Sequence, residues 1–209
     1  MSKKLLSAAL FSAAVFGSAN AAAQGGYFGA GLGWAEQDVP KSDVNQALAD
    51  FAAEEGLVVT PSIGKIDDSD KSYRIYFGYA FNDYVAVEGA FTNMGKPSAD
   101  FEVGPFSEGV SFETEGYELS LVGTIPLNYG FGIYGRVGAF NWETDIEYLD
   151  QHEVADGTDV VYGLGLTYAL NANWDVRAEY AHYEIDYDDD LIGGKADIDN
   201  YTASLSYRF

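Results

Sequence analysis

Eight segments of the chain alternate apolar and polar residues with a period of two, the spacing of a β-strand whose faces meet different surroundings. They run from Gly26 to Glu36, Lys71 to Phe81, Tyr84 to Thr92, Glu113 to Ile125, Phe131 to Trp142, Asp159 to Leu170, Trp174 to Tyr183 and Tyr201 to Phe209. In the last segment Tyr201, Ala203, Leu205, Tyr207 and Phe209 share one face, and Thr202, Ser204, Ser206 and Arg208 the other. In the first, Phe28, Ala30, Leu32 and Trp34 oppose Tyr27, Gly29, Gly31 and Gly33. Bulky groups therefore collect in the apolar phase and glycines in the other. That distribution fits rings on the outside of a barrel and small residues in a narrow, wet interior. The rival is a soluble lipocalin-like barrel, whose apolar face would line a ligand cavity.

Each segment is close to the about 9 to 11 residues that a tilted strand needs to cross a bilayer. Backbone N–H and C=O groups cannot stay unpaired in hydrocarbon, so spanning strands must close on one another. The expected fold is all-β: an eight-stranded antiparallel up-and-down transmembrane β-barrel, completed by one chain as a monomer. Short connections at Asn82-Asp83, Pro126 to Gly130 and Asn171 to Asn173 alternate with long ones at Gln37 to Asp70, Asn93 to Phe112, Glu143 to Thr158 and Glu184 to Asp199. This asymmetry places the long loops outside the cell and both mature termini in the periplasm. The first long loop holds a candidate helix, with Ser42 as N-cap and Gly56 as its stop.

The chain opens Met1-Ser2-Lys3-Lys4, continues with an apolar run from Leu5 to Phe16, and reaches small residues at Ala19-Asn20-Ala21 and Ala21-Ala22-Ala23. Residues 1–23 read as a secretory signal peptide, cut after Ala21 or Ala23, which leaves the barrel on 24–209. Charge sharpens the picture. The chain has 33 acidic residues against 11 basic ones, two of the latter in the leader. Such acidity excludes a nucleic-acid-binding surface, which needs clustered Lys and Arg. Apart from Asp83, Glu88, Glu118, Asp175 and Glu179, the carboxylates fall in or beside the four long connections. The chain has no cysteine, so disulfides, thiolate metal sites and cysteine nucleophiles are excluded as well.

Arg74, Arg136, Arg177 and Arg208 share the inward phase with Glu88, Glu118, Glu179 and Asp175. An eight-stranded interior is just wide enough to be filled by side chains, so these charges are expected to pair across it and plug it, Glu88 with Arg177 among them. His182, beside Glu184, is the one enzymatic candidate, but no serine follows at a suggestive spacing; His152 lies in the third loop. Asp186, Asp188, Asp189 and Asp190 offer oxygens to a hard divalent cation such as Ca²⁺. They lack the glycine and closing glutamate of an EF-hand, and a solvated acidic loop is the plainer reading. No cofactor is called for.

The stretches Val85-Ala86-Val87-Glu88-Gly89-Ala90-Phe91, Ile133-Tyr134-Gly135-Arg136-Val137-Gly138, Val176-Arg177-Ala178-Glu179-Tyr180 and Ser206-Tyr207-Arg208-Phe209 carry a resemblance to the OmpA-like eight-stranded outer-membrane barrels. The resemblance implies that Glu88, Arg136, Arg177 and Glu179 are interior charges. It also implies that Tyr201, Ala203, Leu205, Tyr207 and Phe209 form the terminal signal read by the barrel assembly machinery. Val122 and Thr167 stand where relatives often carry an interior Lys and Glu, and the peptidoglycan-binding domain of larger relatives is not expected. The expected role is structural or surface-interacting, in the cell outer membrane among lipid and lipopolysaccharide, with divalent cations at the acidic loops. The alternative is a small-solute porin-like channel; a lipid-modifying enzyme is less favoured.

Overall fold

A computed structural model of the chain describes residues 25–38, 62–67, 69–103, 106–148, 151–187 and 194–209. The expected leader and the candidate helix after Ser42 lie outside these residues. Ten strands are formed: β1 (Gly25–Asp38), β2 (Ser62–Asp67), β3 (Ser69–Ala80), β4 (Val85–Asn93), β5 (Ser98–Val103), β6 (Phe106–Pro126), β7 (Phe131–Tyr148), β8 (Gln151–Ala169), β9 (Trp174–Tyr187) and β10 (Gly194–Arg208). All but β2 and β5 build a closed antiparallel barrel of eight strands, in the order β1, β3, β4, β6, β7, β8, β9, β10. Closure is made by β10 against β1, with Phe28 opposite Tyr207 and Trp34 opposite Tyr201. The seam ends where the Phe209 N–H donates to the Gly26 carbonyl at 3.0 Å.

The three tight turns lie at one end, here called the turn end. In two of them an asparagine does the same work: Asn82 Oδ1 accepts from the N–H groups of Tyr84 and Val85, and Asn171 Oδ1 from those of Asn173 and Trp174. Such side-chain bonds satisfy backbone donors that the ladder leaves free at a reversal. The third is a 3-10 turn over Asn128–Gly130, in which Gly130 takes φ 82°.

On the outer wall the aromatics fall in two girdles. Phe28 and Trp34, Tyr73 and Tyr79, Tyr162 and Tyr168, Trp174 and Tyr180, and Tyr201 and Tyr207 are each six residues apart on one outward face. Between them lies an aliphatic belt that includes Leu32, Ile75, Leu119, Leu121, Leu164 and Leu166, all exposed. Leu32 alone leaves 75 % of its surface open. An apolar belt between aromatic girdles, around a polar interior, is the surface of a barrel solvated by lipid. The lipocalin-like alternative, with its apolar face inward, fails here.

Beyond the girdle at the loop end the pattern inverts. On β7 the outward residues pass from Val137 and Ala139 to Asn141, Glu143 and Asp145, while the inward ones pass from Arg136 to Phe140 and Trp142. On β9 the outward face runs Val176, Ala178, Tyr180, His182, Glu184 and the inward face Arg177, Glu179, Ala181, Tyr183, Ile185. The surroundings of the wall change from hydrocarbon to water, so the period of two continues with its polarity exchanged.

This inversion corrects the expected loops. Glu143 to Thr158 is not a loop but the far ends of β7 and β8, paired from Glu143 with Asp156 up to Tyr148 with Gln151. Glu184 to Asp199 likewise continues β9 and β10 as far as Tyr187 paired with Gly194. Asn93 to Phe112 contains β5 folded back on β6, and Gln37 to Asp70 contains β2 paired with β5. Many carboxylates assigned to loops, Glu143, Asp145, Asp156 and Glu184 among them, therefore stand on the outer face of strands that project past the girdle.

Candidate functional site

The interior is organised by a chain of six charges that alternate in sign. Arg177 Nη1 on β9 meets Glu88 Oε2 on β4 at 2.9 Å, and Glu88 Oε1 meets Arg74 Nη2 on β3 at 2.7 Å. Arg74 Nη2 reaches Glu118 Oε1 on β6 at 3.3 Å, Glu118 pairs with Arg136 on β7, and Arg136 Nη2 meets Glu179 Oε1 at 2.9 Å. Glu179 is again on β9, two residues from where the chain began. The side chains thus circle the lumen and return to the strand they left. Three positive and three negative groups cancel, and all six are buried but for the part-buried Arg177.

Tyrosines complete the layer. Tyr27 Oη donates to Glu88 Oε2 at 3.0 Å and Tyr134 Oη to Glu179 Oε2 at 2.9 Å. The Arg177 guanidinium, with one carboxylate partner among the described residues, lies 5.0 Å from the ring centres of Tyr27 and Tyr76 and 5.4 Å from that of Tyr134, so ring faces add to its compensation. Arg136 Nη2 donates to Tyr183 Oη at 3.3 Å. Buried charge is tolerable only when paired and hydrogen-bonded, and every member here has an ion-pair partner, with Arg74 Nε and Glu118 Oε2 the atoms left without a hydrogen bond.

The inward glycines make room for these rings. A Cβ on Gly78 would lie 2.2 Å from the Tyr27 ring, one on Gly29 2.3 Å from Tyr76, and one on Gly165 2.6 Å from Tyr134. In each pair glycine and tyrosine are direct cross-strand partners. The small residues of the wet phase are seats for rings laid across the neighbouring strand.

Above the charges, toward the loop end, the interior holds an apolar layer: Ala35, Met94, Phe140, Trp142, Val161, Ala181, Tyr183, Ile185 and Ile198. This layer was missed by the sequence reading, although Phe140 and Trp142 share the phase of Arg136 and so announce it. Trp142 lies over Gly157 and donates from Nε1 to Asp159 Oδ2 at 2.7 Å.

The remaining candidates are placed as follows. Arg208 and Asp175 pair at 3.4 Å near the turn end, away from the six-membered chain. Val122 is buried among Tyr27, Tyr76 and Tyr134 and adds no charge. His182 faces outward, its ring 5.0 Å from that of Tyr162 and its Nδ1 2.6 Å from Asp199 Oδ1. Asp188, Asp189 and Asp190 lie outside the described residues, as do the side chains of Asp186 and His152. Among the described residues no cluster of three metal-binding side chains occurs. Tyr207 and Phe209 pack with Phe28 at ring separations of 6.0 and 5.8 Å on the closing seam.

A closed eight-stranded barrel with a lipid-facing belt is an outer-membrane protein. Residues 5–209 match the model of the outer membrane protein beta-barrel domain, and the chain belongs to that family. It is similar to outer membrane protein A of Serratia marcescens, 25 % identical over 145 residues covering 64 % of this chain and 38 % of that protein. Outer membrane protein A of Escherichia coli O157:H7 is 27 % identical over 135 residues, covering 63 % and 37 %. The chain thus spans about two fifths of the length of these relatives. Among solved structures, Neisserial surface protein A superposes with a TM-score of 0.59 at 16 % identity, over 90 % of this chain and 99 % of the other. The N-terminal barrel domain of Pseudomonas aeruginosa OprF gives 0.51 at 11 % identity, over 90 % and 99 %.

Proposed function

We propose that this protein is a plugged structural barrel, non-enzymatic, whose loop end presents an acidic surface to the cell exterior. The observation that carries the reading is the chain of alternating charges from Arg177 to Glu179, with the apolar layer around Phe140 and Trp142 above it. Arginines locked between glutamates and tyrosine rings do not present a hydrated ion path, and the layer above them is built mainly of apolar side chains. On this reading the turn end is periplasmic, residues 1–23 are removed on export, and the strand ending at Phe209 is what the assembly machinery recognises. His182 is a girdle residue held by Asp199. Vesicles carrying refolded protein test the plug: they should retain a trapped small sugar as long as empty vesicles do. Release at a rate proportional to protein content would establish the porin-like alternative instead.

A further inference from the structure

At the turn end the exposed apolar residues gather on one side of the barrel. The connection between β6 and β7 runs Pro126-Leu127-Asn128-Tyr129-Gly130, and that between β8 and β9 begins at Leu170. Register brings the two together: Phe131 is opposite Tyr168, and a Cβ on Gly130 would lie 3.3 Å from the Ala169 carbonyl oxygen. Ile125, Leu127, Tyr129, Phe131 and Leu170, all exposed, therefore form one patch. No charged residue occurs from 125 to 135 or from 164 to 174. Charge at this end sits elsewhere, with Asp83 in the connection between β3 and β4 and Arg208 paired with Asp175 in the inward phase. Tyr129, at the tip of the patch, leaves 93 % of its surface open, and its backbone is held at φ 63° and ψ 29°. Gly130 follows at φ 82°, and the Phe131 N–H donates to the Asn128 carbonyl. A turn with φ above zero at both central residues favours Asn, Asp or Gly at the first of them, and a bulky side chain there is strained. Exposed as it is, the ring gains little inside the chain to offset that strain.

We propose that this patch, with Tyr129 as its anchor, is immersed in the phospholipid headgroup layer at the turn end, so that the barrel sits deeper on its β6–β8 side than at the β3–β4 turn. Phospholipid is the occupant because the patch continues a surface that lipid already covers: Ile125, Ile133 and Leu166 belong to the aliphatic belt, and Phe131 packs on Tyr168 at 4.6 Å in the girdle beside it. Removal of the apolar side chains from water holds the patch in place, and a phenol suits the level where hydrocarbon gives way to headgroups. Asp83 keeps the β3–β4 turn in water, since a carboxylate is costly in the bilayer. Anchors of unequal depth on two sides of one rigid barrel set its tilt. The proposal rests on the lipid-facing belt alone and holds whichever way the loop end points.

The chain has no cysteine, so Asn128→Cys and Asp83→Cys can each place a single nitroxide on the full-length protein refolded in phosphatidylcholine vesicles. Collision of the label with oxygen, which concentrates in the bilayer, and with an aqueous nickel chelate present on both sides of the vesicle wall reports its depth. The oxygen-to-nickel ratio should be several-fold higher at 128 than at 83. Adding Tyr129→Asn to the Asn128→Cys protein relieves the turn, because Asn accepts the left-handed backbone, and should lower the ratio toward that at 83. Adding Tyr129→Trp should keep it high. Heat-dependent gel mobility confirms that each variant is folded. Equal ratios at the two turns overturn the unequal immersion, and a ratio that Tyr129→Asn leaves unchanged overturns the anchor.

Discussion

Glu88 and Arg177 lie 89 residues apart in sequence, on β4 and β9, and their side chains meet at 2.9 Å inside the barrel. Among the described residues Arg177 is ion-paired with Glu88, whereas Glu88 also holds Arg74 and the Tyr27 hydroxyl. Removing Glu88 takes away the carboxylate that Arg177 meets, and removing Arg177 leaves buried Glu88 with Arg74 and Tyr27 in place of three partners.

Arg177→Ala is expected to destabilise the barrel by about 3 to 5 kcal/mol in urea titrations of lipid-reconstituted protein. Glu88→Ala together with Arg177→Ala should cost less than the sum by at least about 1 kcal/mol. Additive losses would contradict the pairing.

Inversion of the pattern past the loop-end girdle separates neighbours in sequence. Ile198 is fully buried in the apolar layer and Asp197 is exposed. Ile198→Asp should cost about 3 kcal/mol or more by burying an unpaired carboxylate, and Asp197→Asn less than about 1 kcal/mol. Equal effects in the same titration would show that these strand ends have no inside and outside.

Ring and glycine should be exchangeable across the β1–β3 pair. Gly78→Val puts branched carbons where the Tyr27 ring lies and should cost about 1 to 3 kcal/mol. Exchanging the two, Tyr27→Gly with Gly78→Tyr, should recover part of that loss. No recovery would mean that the seat is specific to its strand.

The closing seam offers a kinetic readout. Phe209 packs on Phe28 and bonds Gly26 through its N–H, whereas Tyr129 stands almost free in a turn. Phe209→Asp should sharply lower the yield of heat-modifiable, assembled barrel in cells, and Tyr129→Asp should leave it unchanged. Equal yields would remove the terminal strand from the assembly step.

Much of this was legible in the sequence wherever the wall faces lipid. Val176, Ala178 and Tyr180 alternate with Arg177 and Glu179, so strand, face and interior charge follow from one pattern. Legibility stopped where the surroundings changed. Glu184 and Ile185 keep the period of two with polarity exchanged, and a rule that seeks apolar residues outside reads such a stretch as loop. The order of pairing inside, Glu118 between Arg74 and Arg136, depends on the relative heights of β3, β6 and β7, which strand register sets and residue spacing along one strand does not. Tyrosine seats on glycine were hidden for the same reason, since Tyr27 and Gly78 become neighbours only through the pairing of β1 with β3.

The proposed plug is tested most directly by planar-bilayer recordings of refolded wild type beside a variant combining Glu88→Ala, Arg177→Ala and Trp142→Ala. Wild type should show no sustained conductance steps, and the variant, with both the charge chain and the apolar layer opened, should show them. Steady wild-type conductance equal to that of the variant would contradict the plug.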